Sequence, residues 1–263
     1  MFFLTACHTN SSLTDKSTIS KQNETIELLK SILNGYWVEP TYINDVSKTK
    51  SPFKSQNTLA AIVELDIDTS DIKDDSIEVG APGIHEGTSF TLYFRPGITA
   101  TSIPTNIKDY ETETNFYELG YELTNKDTSL IIYHYNKDKK LLEQTKYIKV
   151  PKNTEGALQY MVNKTLFAGN YKTTDSLGQT INVQFTNDGI VTGFANFKKF
   201  YILTDFVADS ETSLDQVCFD IQTPNQKCYV YKIKDDTINL YEPVEDENAI
   251  AVRLGQLKYK LIK

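Results

Sequence analysis

The strongest constraint on the fold is a succession of short strand patterns in the second half of the chain. Apolar and polar residues alternate there, and turn sequences such as Thr-Asn-Asp-Gly and Lys-Asp-Asp-Thr separate the alternating segments. Alternation places successive side chains on opposite faces of a sheet, and hairpin turns make neighbouring strands antiparallel. The predicted strands are 180–185, 189–194, 199–206, 217–222, 228–233, 238–243, 249–254 and 257–262. This pattern predicts a meander that curls into a barrel or a sandwich.

A similar order of elements occurs in the first half. An apolar stripe predicts a helix over 23–34 that ends at Gly35, and Tyr36 leads into strands predicted at 59–67, 117–124, 129–136 and 146–150. A second helical stripe runs over 153–168, with Gly169 and Tyr171 after it. The repeated order indicates duplication and a mainly β protein of two consecutive barrel-like lobes, each preceded by a short helix. The predicted divisions are a truncated signal and lipobox (1–7), a flexible tether (8–22), an N-terminal β lobe (23–150), a linker (151–154) and a C-terminal β lobe (155–263).

Residues 165–263 resemble a lipocalin-like domain. Gly169-Asn170-Tyr171 stands where that family usually has Gly-x-Trp, after a short helix and before about eight meandering strands. Residues 33–150 resemble it more loosely, because Trp37 lies one place away from the Gly-x-Trp frame. Such folds are common among lipoproteins of Bacteroidota-like bacteria. The resemblance implies a cup that can hold an apolar or amphipathic ligand.

The first residues resemble a bacterial lipobox. Leu4-Thr5-Ala6 places an apolar residue and two small ones before Cys7, which in such lipoproteins is lipidated after cleavage of the signal peptide. The apolar stretch before the box is shorter than a signal peptide needs, so we expect the true start upstream or a truncated sequence; a chance cysteine in a frayed terminus is the alternative. The Ser-, Thr- and Asn-rich residues 8–22 suit a tether. We expect a lipid-anchored protein of the bacterial envelope, at the outer membrane, facing the periplasm or the surface.

Cys218 and Cys228 flank the turn sequence Thr-Pro-Asn-Gln. If they pair across the hairpin, the apolar Val217 and Tyr229 share the opposite face, and the cysteines lie close enough for a disulfide. A disulfide is favoured over free thiols because an exported protein meets an oxidising compartment. The spacing does not match the Cys-x-x-Cys of redox-active pairs.

Catalytic and metal-binding patterns are weak in this sequence. His134 alternates with tyrosines and predicts a hydrogen-bonded sheet histidine, whereas His85 lies in a Gly- and Pro-rich loop but lacks companion zinc ligands. Asp66 and Asp68 match the start of a calcium loop whose glycine and closing glutamate are missing, so a strand end entering a turn is the better interpretation. We find no cofactor motif and expect a non-catalytic protein.

The net charge of −8 argues against nucleic acid or an anionic bilayer as partner. Two main functions remain. The first is a lipocalin-like barrel that binds a small apolar or amphipathic ligand. The second is a filled barrel that contacts an envelope protein or a glycan through its surface. An enzyme is a third hypothesis and would require perturbed carboxylates near His85 or His134.

Overall fold

The computed structural model describes residues 27–83, 87–125, 127–151, 156–174, 177–206, 214–245 and 252–263. Their fold is mainly β, with few and short helices, as the sequence predicts. The helices are α1 (27–33 within the described part), α2 (Pro40–Thr49), α3 (Pro52–Ser55) and α4 (Ala157–Leu166). The strands of the first sheet are β1 (Gly35–Val38), β2 (Glu64–Ile67), β3 (Ser76–Ala81), β4 (Thr88–Tyr93), β5 (Ser102–Lys108), β6 (Phe116–Leu123), β7 (Thr128–Tyr135) and β8 (Leu141–Lys149). Those of the second sheet are β9 (Gly169–Thr174), β10 (Thr180–Phe185), β11 (Val191–Thr192), β12 (Phe200–Ile202), β13 (Gln216–Phe219), β14 (Lys227–Lys234), β15 (Thr237–Glu245) and β16 (Val252–Ile262).

The first sheet is a closed barrel in which β1 to β8 follow one another in chain order. The barrel closes where β1 pairs antiparallel with β8, with Trp37 opposite Lys149 and Val38 opposite Ile148. Pairing the first strand with the last removes the free edges that an open meander would expose.

The second sheet has the order β11-β10-β9-β16-β15-β14-β13-β12. Here too the first strand pairs with the last, because Ile262 of β16 lies opposite Lys172 of β9. The two end strands approach each other through an isolated bridge between Ile190 and Lys199, which precede β11 and β12 respectively. The eight strands therefore follow one another around a ring, as in an up-and-down barrel.

The predicted repeat of helix, glycine and strand is confirmed in both halves. Helix α1 is followed by Gly35 with φ of 116°, and helix α4 by Gly169 with φ of 146°. Each glycine is the first residue of its strand, β1 or β9. A positive φ favours glycine, since other side chains rarely adopt it, and this explains why the same residue type recurs at both places.

Two helices that the sequence analysis does not predict, α2 and α3, lie between β1 and β2. The Glu39 carboxylate accepts the N–H of Thr41 at 2.9 Å and Pro40 occupies the first position of α2. Ser51 caps α3 in the same way, ahead of Pro52. These caps fix the starts of the two helices, and the strand predicted over 59–67 is shortened to β2.

Strand lengths differ from the prediction mainly in the second sheet. The described part of the segment predicted at 249–254 joins the segment predicted at 257–262 in one strand, β16, with a register irregularity opposite Tyr241. Gly255 permits that close approach, because an added Cβ would lie 2.5 Å from the carbonyl oxygen of Glu242. The strands predicted at 189–194 and 199–206 are shortened to β11 and β12.

The middle of β6 departs from the predicted alternation of buried and exposed residues. Leu119 is buried as expected, but Glu118 on the opposite face is also buried. Its carboxylate accepts the N–H of Ile98 at 2.8 Å and the hydroxyl hydrogen of Ser102. The loop before β5 therefore covers the outer face of β6 and satisfies the carboxylate there.

Contacts between Cα atoms divide the chain into two compact units. Within the described residues, one unit comprises 27–35, Ile67–Gly80 and Ser89–Lys146. The other comprises Tyr36–Asp66, Ala81–Thr88 and Tyr147–Lys263, and it contains the whole second sheet together with α2 and α4.

Candidate functional site

Aromatic side chains fill the inside of the second sheet. Phe185 is 2% exposed, and its ring centroid lies 5.0 Å from that of Phe200 and 5.5 Å from that of Phe167. Further ring contacts extend this cluster to Tyr171, Phe194, Phe197, Phe219, Tyr229, Tyr231 and Tyr259. Such contacts bring a favourable packing energy beyond simple burial, so this interior is a packed core.

Helices α2 and α4 add apolar side chains to the same core. Phe167, directly after α4, provides a central ring, and Tyr42 and Val46 of α2 belong to the same buried cluster. The N-cap residue of helix α4 is Gly156, which has no side chain to cap the helix. The N–H of Leu158 donates instead to the Glu64 carboxylate at 2.6 Å, which fixes the start of this helix.

A partly buried carboxylate, Asp215, lies near two buried tyrosines in this unit. Asp215 accepts the N–H of Phe53 at 2.9 Å, while burial raises the pKa of its carboxyl group. The pKa of both Tyr42 and Tyr231 is raised, mainly by burial and to a smaller extent by the nearby Asp215 charge. Neither tyrosine hydroxyl has a hydrogen-bond partner among the described residues. The group is an internal polar spot in an otherwise apolar core.

The outer face of the second sheet carries a row of side chains that crosses β14, β15, β16, β9 and β10. The register of paired strands connects these residues one after another, and buried residues alternate with them along the strands. The row consists of Lys234, Thr237, Ile262, Lys172 and Asn182. The neighbouring row on the same face consists of Lys232, Asn239 and Lys260. We call these eight residues the lysine face.

The lysine face is basic although the chain as a whole has a formal charge of −8. Its lysines are exposed, and within the described ranges none of them forms an ion pair. The nearest acidic residues along the chain, Asp235 and Asp236, lie in the turn that joins β14 to β15. The Nζ atom of Lys232 lies 5.9 Å from the centre of the Tyr241 ring. The face therefore has positive charge available to a partner.

A groove of about 650 Å³ lies at the β9–β10 end of the lysine face. Its lining residues are Asn170, Tyr171, Lys172, Asn182, Val183, Gln184, Thr192, Ile262 and Lys263. No Asp or Glu side chain is among them, and Asp236 lies near enough to Tyr171 for its charge to add to the effect of burial in raising the pKa of that hydroxyl. Amide and hydroxyl side chains can donate and accept hydrogen bonds, and the lysines add charge, so the groove can bind a polar anionic ligand.

Cys218 and Cys228 lie directly opposite each other on β13 and β14, with Cα atoms 4.0 Å apart and sulfurs at disulfide distance. Val217 and Tyr229 share the buried face as predicted. The predicted hairpin pairing is therefore found in the structure. The cysteines lie on the other face of these two strands.

His134 in the first barrel lies in a fixed hydrogen-bonded setting. Its Nε2 atom is 2.9 Å from the Asp109 carboxylate, and its ring stacks on Tyr117 with centroids 4.3 Å apart. Hydrogen bonds from the Asn115 amide and from the backbone of Thr112 lower the pKa of Asp109 to about 2. The prediction of a hydrogen-bonded sheet histidine is confirmed, and Asp109 is the partner that the sequence analysis missed.

The other candidate residues are placed as follows. Asp68 follows β2 and caps the turn over 69–71 by accepting the N–H of Ser70 at 3.0 Å, which agrees with the predicted strand end and turn. Cys7 and His85 lie outside the described residues. Within the described ranges, no group of three or more His, Cys, Asp or Glu side chains could hold a metal ion.

Comparison of the chain with family models, curated proteins and solved structures finds no match. Within the described part of the chain, no helix is both long and apolar enough to cross a membrane. The arguments about function therefore rest on the geometry of the two sheets and on the sequence patterns.

Proposed function

We propose that this protein is a lipid-anchored, non-catalytic module of the bacterial envelope that binds its partner through the outer surface of a filled barrel. The single observation that carries this proposal is the aromatic interior of the second sheet. A barrel that carries a ligand needs inward side chains that leave space, whereas here rings from β10, β12, β13 and β14 contact each other and Phe167. This arrangement supports the surface-binding hypothesis over the apolar-ligand hypothesis.

The setting of His134 supports a non-catalytic role. Its Nε2 is engaged by Asp109, and Asp109 is itself held by Asn115 and by the backbone N–H groups of Glu111 and Thr112. These bonds tie the segment before β6 to β7. A carboxylate whose pKa is lowered by several local hydrogen bonds is suited to holding a loop, which is a structural use of the pair.

Anchoring is proposed from the Leu4-Thr5-Ala6-Cys7 pattern and from the polar residues 8–22. Two or more acyl chains would give a durable attachment, because each buried methylene contributes about 0.8 kcal/mol. The anchor would leave the folded body free to meet a partner at the membrane surface.

Native mass spectrometry of the chain, exported to the periplasm and purified without detergent, tests the filled barrel. We expect the mass of the polypeptide alone, lighter by the two hydrogens lost in forming one disulfide. The environment-sensitive dye N-phenyl-1-naphthylamine should not increase its fluorescence with the folded protein. A co-purified apolar molecule that is released on denaturation would contradict the proposal and would favour the apolar-ligand hypothesis.

Metabolic labelling with an alkynyl fatty acid tests the anchor. The chain would be expressed in a bacterium behind a lipoprotein leader that joins at Leu4. We expect label in the wild type and in Cys218→Ser, and none in Cys7→Ser. Equal labelling of Cys7→Ser, or none in the wild type, would contradict lipidation at Cys7.

A further inference from the structure

We propose that the lysine face and its groove bind a glycan chain that bears carboxylate groups. This inference rests on the proposed surface-binding function and names its ligand class. The first observation is that charge is unevenly distributed over the protein. The chain is acidic overall, yet the rows through Lys172 and Lys260 contain lysines, amides, a threonine and an isoleucine but no Asp or Glu.

The side chains of the groove are available to a ligand. Asn170, Lys172, Asn182, Gln184 and Thr192 are exposed, and their side chains form no hydrogen bond with any other described residue. Polar side chains that serve the fold are usually committed to backbone or capping partners, as Glu118 is in the first barrel. Here a concave set of donors and acceptors remains uncommitted.

The spacing of these groups suits a saccharide. Lys172 and Asn182 are directly opposed on neighbouring strands, as are Asn170 and Gln184. Neighbouring strands lie about 4.8 Å apart, which is close to the repeat of sugar rings in an extended chain. An amide offers a donor and an acceptor side by side, which matches two adjacent hydroxyl groups. Ile262, which is 47% exposed, offers an apolar surface to the C–H face of a ring.

The charges select an acidic glycan over a neutral one. Lys172 and Lys263 line the groove, and Lys232, Lys234 and Lys260 extend the positive face beyond it. An extended chain of uronic or sialic acids can place its carboxylates along this face. A bilayer surface fits less well, because the charged part of the face includes a groove lined by amide side chains, with Ile262 as its exposed aliphatic side chain.

The test measures binding of the full chain, carrying Cys7→Ser, to oligogalacturonate and to oligosialic acid of defined length. A malto-oligosaccharide of equal length is the neutral control, and phosphatidylglycerol vesicles are the membrane control. We expect binding to at least one acidic glycan, weaker binding as salt increases, and no measurable binding to the neutral sugar.

Two sets of variants locate the site. The triple variant Lys172→Gln, Lys232→Gln, Lys260→Gln should bind about tenfold more weakly, since exposed ion pairs contribute small amounts that add. The control triple Lys108→Gln, Lys137→Gln, Lys140→Gln removes the same charge from exposed positions in the first sheet and its loops, and should bind like the wild type. Asn182→Ala with Gln184→Ala should weaken binding without changing its salt dependence.

Failure of both acidic glycans to bind would overturn the inference, as would equal binding of the neutral sugar or an equal loss in the control triple. Binding to vesicles alone, with the same lysine dependence, would assign the face to a membrane and would also overturn it. None of these results would affect the filled barrel, which native mass spectrometry tests separately.

Discussion

The two sheets have the same circular order of strands but fill their interiors differently. In the first barrel the most deeply buried strand residues are mostly aliphatic, such as Leu65, Leu92 and Leu130. In the second sheet, aliphatic residues such as Leu240 are joined by a larger set of buried rings that contact one another, and one of the central rings, Phe167, comes from the end of a helix. One topology can therefore be specified by different side chains, provided that the total volume fills the interior.

The sheets also differ in how they treat acidic groups. In the first barrel, Asp109 accepts several hydrogen bonds that favour its charged form. In the unit that holds the second sheet, Glu64 is buried and Asp215 partly buried, and burial raises the pKa of both. Hydrogen bonds therefore favour the charged form of Asp109, whereas the loss of contact with water disfavours the charged forms of Glu64 and Asp215.

The largest expected effect tests the aromatic interior. Phe185→Ala removes a ring that contacts Phe167, Phe200 and Tyr171 at centroid distances of 5.5, 5.0 and 5.7 Å. We expect a loss of about 3–5 kcal/mol in the free energy of unfolding, because a large cavity remains among rigid rings. Urea denaturation followed by tyrosine fluorescence measures it.

The matched control for that experiment is Tyr110→Ala, since Tyr110 is 96% exposed and should change stability by less than about 0.5 kcal/mol. A loss below about 1 kcal/mol for Phe185→Ala would mean that the interior can collapse or is loosely filled. That result would mean that the second sheet is not filled by a rigid aromatic interior, and it would favour the apolar-ligand hypothesis.

The order of strands in the second sheet could be predicted from the sequence, because alternation and hairpin turns are local signals. TINVQF, for example, is β10 at its predicted bounds. The sequence analysis missed the helices α2 and α3, which begin after the caps Glu39 and Ser51. A proline follows each cap at the first helical position, so the local signal for both helix starts is present in the sequence.

The candidate site was harder to predict than the fold. Lys172, Lys232 and Lys260 are distant in sequence and share a face only because β9 pairs with β16 and β14 with β15. Composition gave the total charge but not its distribution. The pairing of Asp109 with His134 likewise joins a loop to a strand and leaves no short sequence pattern. Such sites require the register between strands, which the sequence alone does not determine.

The next effect in size concerns Cys218 and Cys228, which have no counterpart in the first barrel. Replacing both by serine should lower the free energy of unfolding by about 2 kcal/mol, the small side of the usual range, because the cross-link closes a short loop. Under a reducing agent the wild type should approach the variant. If oxidised wild type and variant unfold at the same urea concentration, the pair contributes nothing to stability.

The smallest expected effect is a difference between Asp109 and Asp215 in how each makes the free energy of unfolding depend on pH. The pKa of Asp109 is lowered to about 2, below the unfolded value near 3.9, so its stabilisation is present above about pH 4 and is lost as the pH falls towards 2. The pKa of Asp215 is raised, so its contribution is present below pH 3.9 and is lost as the pH rises through the folded pKa. The two residues should therefore give opposite slopes of stability against pH.

Urea unfolding between pH 2 and pH 7 of Asp109→Asn and Asp215→Asn measures these slopes. Asparagine keeps an oxygen that can accept the N–H of Phe53 at position 215 or of Thr112 at position 109, so the change is mainly one of charge. We expect Asp109→Asn to lose stability relative to wild type at pH 7 and to match it near pH 2. Asp215→Asn should improve relative to wild type as the pH rises. If both variants shift in the same direction across this range, the two carboxylates share one kind of environment, and the electrostatic difference between the two regions does not exist.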